Sequence, residues 1–150
     1  MSKKFKTYQS KLHILNIEGG GNHVLIKAKI NKTKVNMIVD TGASSTVFDL
    51  DNPIFSNVDF ENLETDNPSS GFNSVIDELY FGNIDSFSIS WYKIKNLKAV
   101  FTSMQHINEL YKNLNLPHVA GILGCDFLIA NNAVLDFENK KLIIKKFIKH

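Results

Sequence analysis

Apolar and polar residues alternate along most of this chain, in short runs separated by glycine, asparagine and serine. Val24, Ile26, Ala28 and Ile30 alternate with Lys27 and Lys29, the pattern of a strand with one buried face. Before it, residues 12–17 predict a strand, and Gly19, Gly20, Gly21 and Asn22 predict the turn that follows. After a connection at 31–34, Val35, Met37 and Val39 point one way and Asn36, Ile38 and Asp40 the other. Thr46, Val47 and Phe48 are again strand-prone. Residues 75–81 predict a strand, with Gly82 and Asn83 as its turn. Phe87, Ile89 and Trp91, alternating with Ser88 and Ser90, predict another, and residues 97–101 one more. Residues 134–137 and 142–146, joined by the polar 138–140, predict a closing hairpin.

One helix interrupts this pattern. Met104, Ile107, Leu110, Tyr111 and Leu114 recur at helical spacing. Thr102 and Gln105 fit a capping box, and Pro117 lies just past the end. A second, short helix is expected after Gly124, with Asp126 as its cap. Residues 49–68 are acidic, contain Pro53 and Pro68 and have little periodicity, so a loop with short pieces of strand is expected. Many short strands with turns between them indicate an all-β barrel or sandwich. At 150 residues the chain is long enough to bury a core, and we expect one domain over residues 1–150.

Composition narrows the function classes. All 17 basic residues are lysine and the formal net charge is only +2. Without arginine the chain lacks the planar fork that reads guanine or clamps phosphate, and no nucleic-acid partner is expected. One cysteine excludes an internal disulfide framework. The five histidines show no metal-ligand spacing with the acids or with Cys125, so no metal or cofactor is expected. Cys125 itself reads as a small core residue rather than a nucleophile. There is no Gly-x-Ser-x-Gly elbow, and the glycine run at 19–21 lacks the lysine and hydroxyl of a phosphate loop. No apolar run suits a signal peptide or a membrane span, so a cytoplasmic protein without a membrane partner is expected. Between Asp49 and Tyr92 there are nine acids and no lysine. That block is either a solvated acidic face or an acidic rim over a site that favours basic peptides.

The stretch with chemical promise is Asp40-Thr41-Gly42-Ala43-Ser44. Alone it is an acidic turn after a strand, because aspartate, threonine and glycine are ordinary turn residues. Its meaning changes beside Gly121-Ile122-Leu123-Gly124-Cys125-Asp126-Phe127-Leu128 and the following Ala133-Val134-Leu135-Asp136-Phe137. Together the two blocks resemble the retropepsin-like aspartic proteases, in particular the bacterial single-domain members and the DNA-damage-inducible type. The resemblance spans residues 24–146.

That resemblance implies a closed all-β barrel of the acid-protease fold, with one principal helix and a short C-terminal helix. It implies that Asp40 is catalytic, with Thr41, Gly42, Ala43 and Ser44 in support. Thr41 would brace two such loops across a symmetry axis, and 122–124 would pass beneath the Asp40 loop and fix it. Residues 69–74 fall where the family carries its substrate-covering flap, with Gly71 supplying flexibility and Phe72 an apolar contact. Peptide hydrolysis by carboxylates needs two of them astride one water, one as base and one as acid. Forced together, two like charges share one proton and titrate as a unit. This chain has one Asp-Thr-Gly, so the second Asp40 would come from another copy in a homodimer acting on a peptide or protein.

Two departures from the family pattern matter. Ala43 stands where pepsin-like enzymes have a serine that bonds the carboxylate, so activity should be less acid-shifted than in a digestive enzyme. The arginine–aspartate brace of retroviral dimers has no counterpart here. A non-catalytic module of the same fold, gripping peptides by strand addition or serving only to dimerise, is the alternative.

Overall fold

The structure, a computed structural model, describes residues 4–17, 19–62 and 78–148. Eleven strands and two α-helices follow one another among these residues: β1 Phe5–Lys11, β2 His13–Ile17, β3 Gly21–Ile30, β4 Thr33–Val39, β5 Val47–Asp49, β6 Glu61–Asn62, β7 Tyr80–Ile89, β8 Tyr92–Thr102, α1 Gln105–Asn113, β9 Val119–Leu123, α2 Cys125–Ala130, β10 Val134–Asp136 and β11 Lys141–Phe147. The order β3-β4-β9-β5-β8-β7 returns to β3 through a β3–β7 pairing, so six strands close a barrel. Closure leaves no open edge among these six. A separate three-stranded sheet, β1-β11-β10, packs beside it.

The alternation that predicted strands is the alternation that fills the barrel. Ile26, Ala28, Ile30, Met37, Val39, Phe87, Ile89 and Leu123 face inward and are buried, while Lys27 and Lys29 are exposed. Phe48, Phe55, Phe87 and Phe101 pack there with ring centroids 4.9–5.9 Å apart. A second cluster lies outside, where Met104 and Tyr111 seat α1 on Ile17, Leu25, Ile38 and Val119. The β3–β4 hairpin turns on Asn31 and Lys32, both at positive φ (47° and 73°), as a two-residue hairpin turn requires.

Several local expectations give way. Gly82 and Asn83 make no turn; β7 runs straight through them, and the turn falls at Ser90 and Trp91. Gly82 is there for space, since a Cβ would meet Val58 Cγ1 at 2.5 Å. β8 begins at Tyr92 rather than 97, its early part disguised by Asn96 at φ 54°. β1 was not foreseen, yet it pairs along its whole length with β11. Thr102 caps nothing: it belongs to β8, and its buried hydroxyl has no partner among the described residues.

The start of α1 is held by Asp49 instead. This buried carboxylate accepts from Met104 N (3.2 Å) and Asp51 N (3.1 Å) through Oδ1, and from Asn108 Nδ2 (3.2 Å) through Oδ2. Asn108 in turn brackets Val119 at the head of β9. Asp49→Ala strands the buried amide of Met104 and removes the part-buried bonds from Asp51 N and Asn108 Nδ2, so we expect a loss of roughly 2–3 kcal/mol in denaturant unfolding. A loss below about 0.5 kcal/mol would contradict this role.

Candidate active site

β4 and β9 lie parallel in the middle of the barrel wall, with Ile38 beside Ile122 and Val39 beside Leu123. This pairing brings together the two sequence blocks that carried the resemblance. Asp40 N then donates to Leu123 O (3.0 Å), extending the ladder one residue past the end of β4. The chain turns at once, as Ala43 N donates back to Asp40 O (3.1 Å). Gly42 N donates to Asp40 Oδ1 (2.8 Å), which orients the carboxylate. Gly42 makes this tight turn without a left-handed backbone. What a side chain there would meet is the carboxylate itself, 3.1 Å from a Cβ.

The 40–46 loop rests on the start of α2. Cys125 N donates to Ala43 O (2.8 Å) and Asp126 N to Ser44 O (3.2 Å). The half-buried Cys125 also donates its thiol to Thr41 O (3.0 Å). Thr46 closes the loop: its hydroxyl accepts from Gly124 N (3.0 Å) and donates to Asp126 Oδ1 (2.7 Å), which also accepts from Thr46 N (2.9 Å). The N-cap of α2 is Gly124, not Asp126. Asp126 lies in the first turn, where it accepts from Phe127 N (2.7 Å) and ties the helix to the loop. Thr46 and Asp126 are 80 positions apart, and nothing in their local sequence signals that link.

The loop therefore presents one acid outward from a rigid seat. Asp40, Thr41, Gly42 and Ser44 are exposed, and Ala43 is half-buried. Among the described residues the hydroxyl of Thr41 and Oδ2 of Asp40 have no hydrogen-bond partner. The other acid at the loop, Asp126, is occupied by its bonds to Thr46 and Phe127. No described group of three histidines, cysteines or acids could hold a metal. Gly71 and Phe72, and the whole 69–74 segment, lie outside the described residues.

The described acids do not form one rim. Asp49 and Asp51 border a groove of about 790 Å³ along α1, with Lys112 and His118, which includes no residue of the 40–46 loop. Asp59 and Asp85 line a different depression beside Lys32 and Lys93. No described helix is long and apolar enough to cross a membrane.

Comparison with solved structures places the fold. A retropepsin-like aspartic protease from Rickettsia conorii matches with a TM-score of 0.56 and 19% identity, over 98% of this chain and 97% of that one. The retroviral protease-like domain of Ddi1 from Leishmania major matches with a TM-score of 0.52 and 16% identity, over 83% of this chain and 93% of that one. No curated protein sequence matches the chain. A family model described as aspartyl protease matches residues 26–127, from the middle of β3 into α2, and so takes in both the Asp40 loop and its seat. The fold is retropepsin-like, and the chain belongs to the aspartyl protease family.

Proposed function

We propose that this protein is a homodimeric aspartic endopeptidase in which Asp40 of each copy faces the other across one water. The observation that carries the reading is the seat of Asp40. A carboxylate oriented by Gly42 N and fixed through Leu123 O stands exposed with one oxygen free. Fixed orientation of this kind is what acid–base catalysis requires. The Gly42 bond alone is the Asx turn of any acidic surface turn; the anchorage of the loop on Leu123 O and on the start of α2 is what goes beyond it. One carboxylate activates the water, and the other donates its proton to the scissile carbonyl oxygen. A two-fold axis at the loop brings the same residue from each copy to one place. Thr41, exposed and free to bond a partner, braces the two loops, and Ser44 belongs to the same support. Gly71 and Phe72 belong to the flap that closes over an extended peptide.

The terminal strands β1 and β11 already pair with each other within one chain. A dimer that interleaves its termini is thereby disfavoured, and the contact forms around the Asp40 loops. We place the protein in the cytoplasm and read the chain as a single domain.

The test is digestion of a mixed peptide library at rising protein concentration, with products identified by mass spectrometry and the protein's own mass measured in solution. We expect internal cleavages, a specific activity that rises as dimer forms, and an optimum above the strongly acidic range because Ala43 offers no hydroxyl to the carboxylate. Peptide retention without cleavage would favour the binding module, for which the fold alone suffices.

A further inference from the structure

A row of side chains crosses the outside of the barrel at the start of β4, the opposite end of that strand from Asp40. Lys34 on β4 pairs with Lys29 on β3, Lys29 with Ser88 on β7, and Ser88 with Lys93 on β8. Paired positions carry their side chains on one face, with strands about 4.8 Å apart. Three ammonium groups are thus strung across four strands. A groove of about 690 Å³ runs over this row, with Lys11, Lys27 and Lys32 also in its lining and no aspartate or glutamate. None of these lysines forms an ion pair among the described residues. Asp59 and Asp85 border only the adjoining depression.

Two features mark this surface as more than a solvated face. Lys29 directly opposite Lys34 is a repulsive cross-strand pair, which costs stability where an acid at either position would add to it. His13 in the same lining has its pKa lowered, by burial first and then by Lys11 and Lys27, which reports the local positive field. The second feature is Trp91, the one tryptophan in the chain. It sits at the tip of the β7–β8 hairpin on this groove, 89% exposed, with no ring partner among the described residues. An indole left in water forfeits the burial that such a ring gives elsewhere.

We propose that this groove binds single-stranded nucleic acid, with phosphates along the lysine row and a base stacked on Trp91. A basic groove with an exposed aromatic ring on it is the arrangement that holds single strands. The hydroxyls of Ser86, Ser88 and Ser90 add donors to phosphate along the same groove. An acidic peptide would use the lysines and leave the indole idle. A bilayer would need a protruding apolar set, whereas this surface is concave and lined by lysine and serine. Lysine meets phosphate as a point charge and lacks the planar fork of arginine, and stacking on an indole accepts every base, so binding depends little on sequence. The formal charge of +2 hides the site because the acids are concentrated elsewhere in the chain.

The experiment is titration of the full chain with twelve-nucleotide oligothymidylate and oligouridylate at low and moderate salt. It is read by the anisotropy of a label and by tryptophan emission, which reports Trp91 alone. We expect quenching on binding and an affinity that falls steeply with salt. Trp91→Ala should weaken binding about tenfold. The double variant Lys29→Gln, Lys34→Gln should weaken binding and flatten the salt slope by about 1.4. That double variant should also melt no lower than the wild type, because it relieves a repulsion. Three outcomes would each overturn the proposal: no binding at low salt, tighter binding of polyglutamate without quenching, or a response only to phosphatidylserine vesicles.

Discussion

Asp40→Asn should abolish peptide cleavage, with a fall of at least about a thousandfold, while leaving the fold intact. Both carboxylates of the proposed pair are lost in a dimer of the variant, and each acts in proton transfer, a contribution worth about 10²–10⁴ in rate. Stability should change by less than about 0.5 kcal/mol, because the side chain is exposed and surface changes of this kind are small. The asparagine carbonyl can still accept from Gly42 N, so the loop keeps its shape. The variant therefore separates chemistry from architecture. Melting curves should overlay, and the products seen with wild type should be missing. If the variant cleaved the same bonds at a comparable rate, Asp40 would not be the acid.

Gly124→Ala should harm both stability and activity, although position 124 is no part of the chemistry. A Cβ there would lie 2.7 Å from Ser45 C and O and 2.8 Å from Ala43 O. These are backbone atoms of the loop that carries Asp40, and no side-chain rotation relieves the clash. The loop must lift from α2, weakening the bonds from Cys125 N to Ala43 O and from Gly124 N to the Thr46 hydroxyl. Overpacking of this kind costs about 1–3 kcal/mol. A displacement of even about 1 Å at the reacting group can cost a hundredfold in rate. We expect losses of that order in chemical denaturation and in cleavage of a fixed peptide. Wild-type behaviour in both would show that the loop does not depend on this close approach.

The barrel was legible because alternate residues of its strands turn inward, so period-two alternation at 24–30 and 35–39 maps onto barrel-facing positions, although Leu25 and Ile38 on the outer face are buried as well, under α1. Alternation carries no information about which strands lie side by side. The resemblance implied that 122–124 lie beneath the Asp40 loop, but the parallel pairing of β4 with β9 that builds the seat is not readable from either segment alone. The Thr46–Asp126 link was hidden for the same reason, and Asp126 looked like a helix cap because acids before apolar turns usually are. β1 escaped notice since Lys4, Lys6 and Lys11 mask a segment whose pairing partner lies at the other end of the chain. The capping box at Thr102 failed because β8 runs to that residue and delivers it buried, leaving Asp49 to hold the amide of Met104. In each of these cases the deciding partner lies far away in the sequence, where the local pattern carries no information.

The claim on which the rest depends is that each active centre draws one acid from each of two copies. It is tested most directly by mixing wild-type and Asp40→Asn chains in varying proportion at constant total concentration, allowing exchange, and measuring the cleavage rate. If mixed dimers are inactive, the rate should fall as the square of the wild-type fraction. A strictly linear fall would mean that one chain cuts alone, and the shared centre would be contradicted.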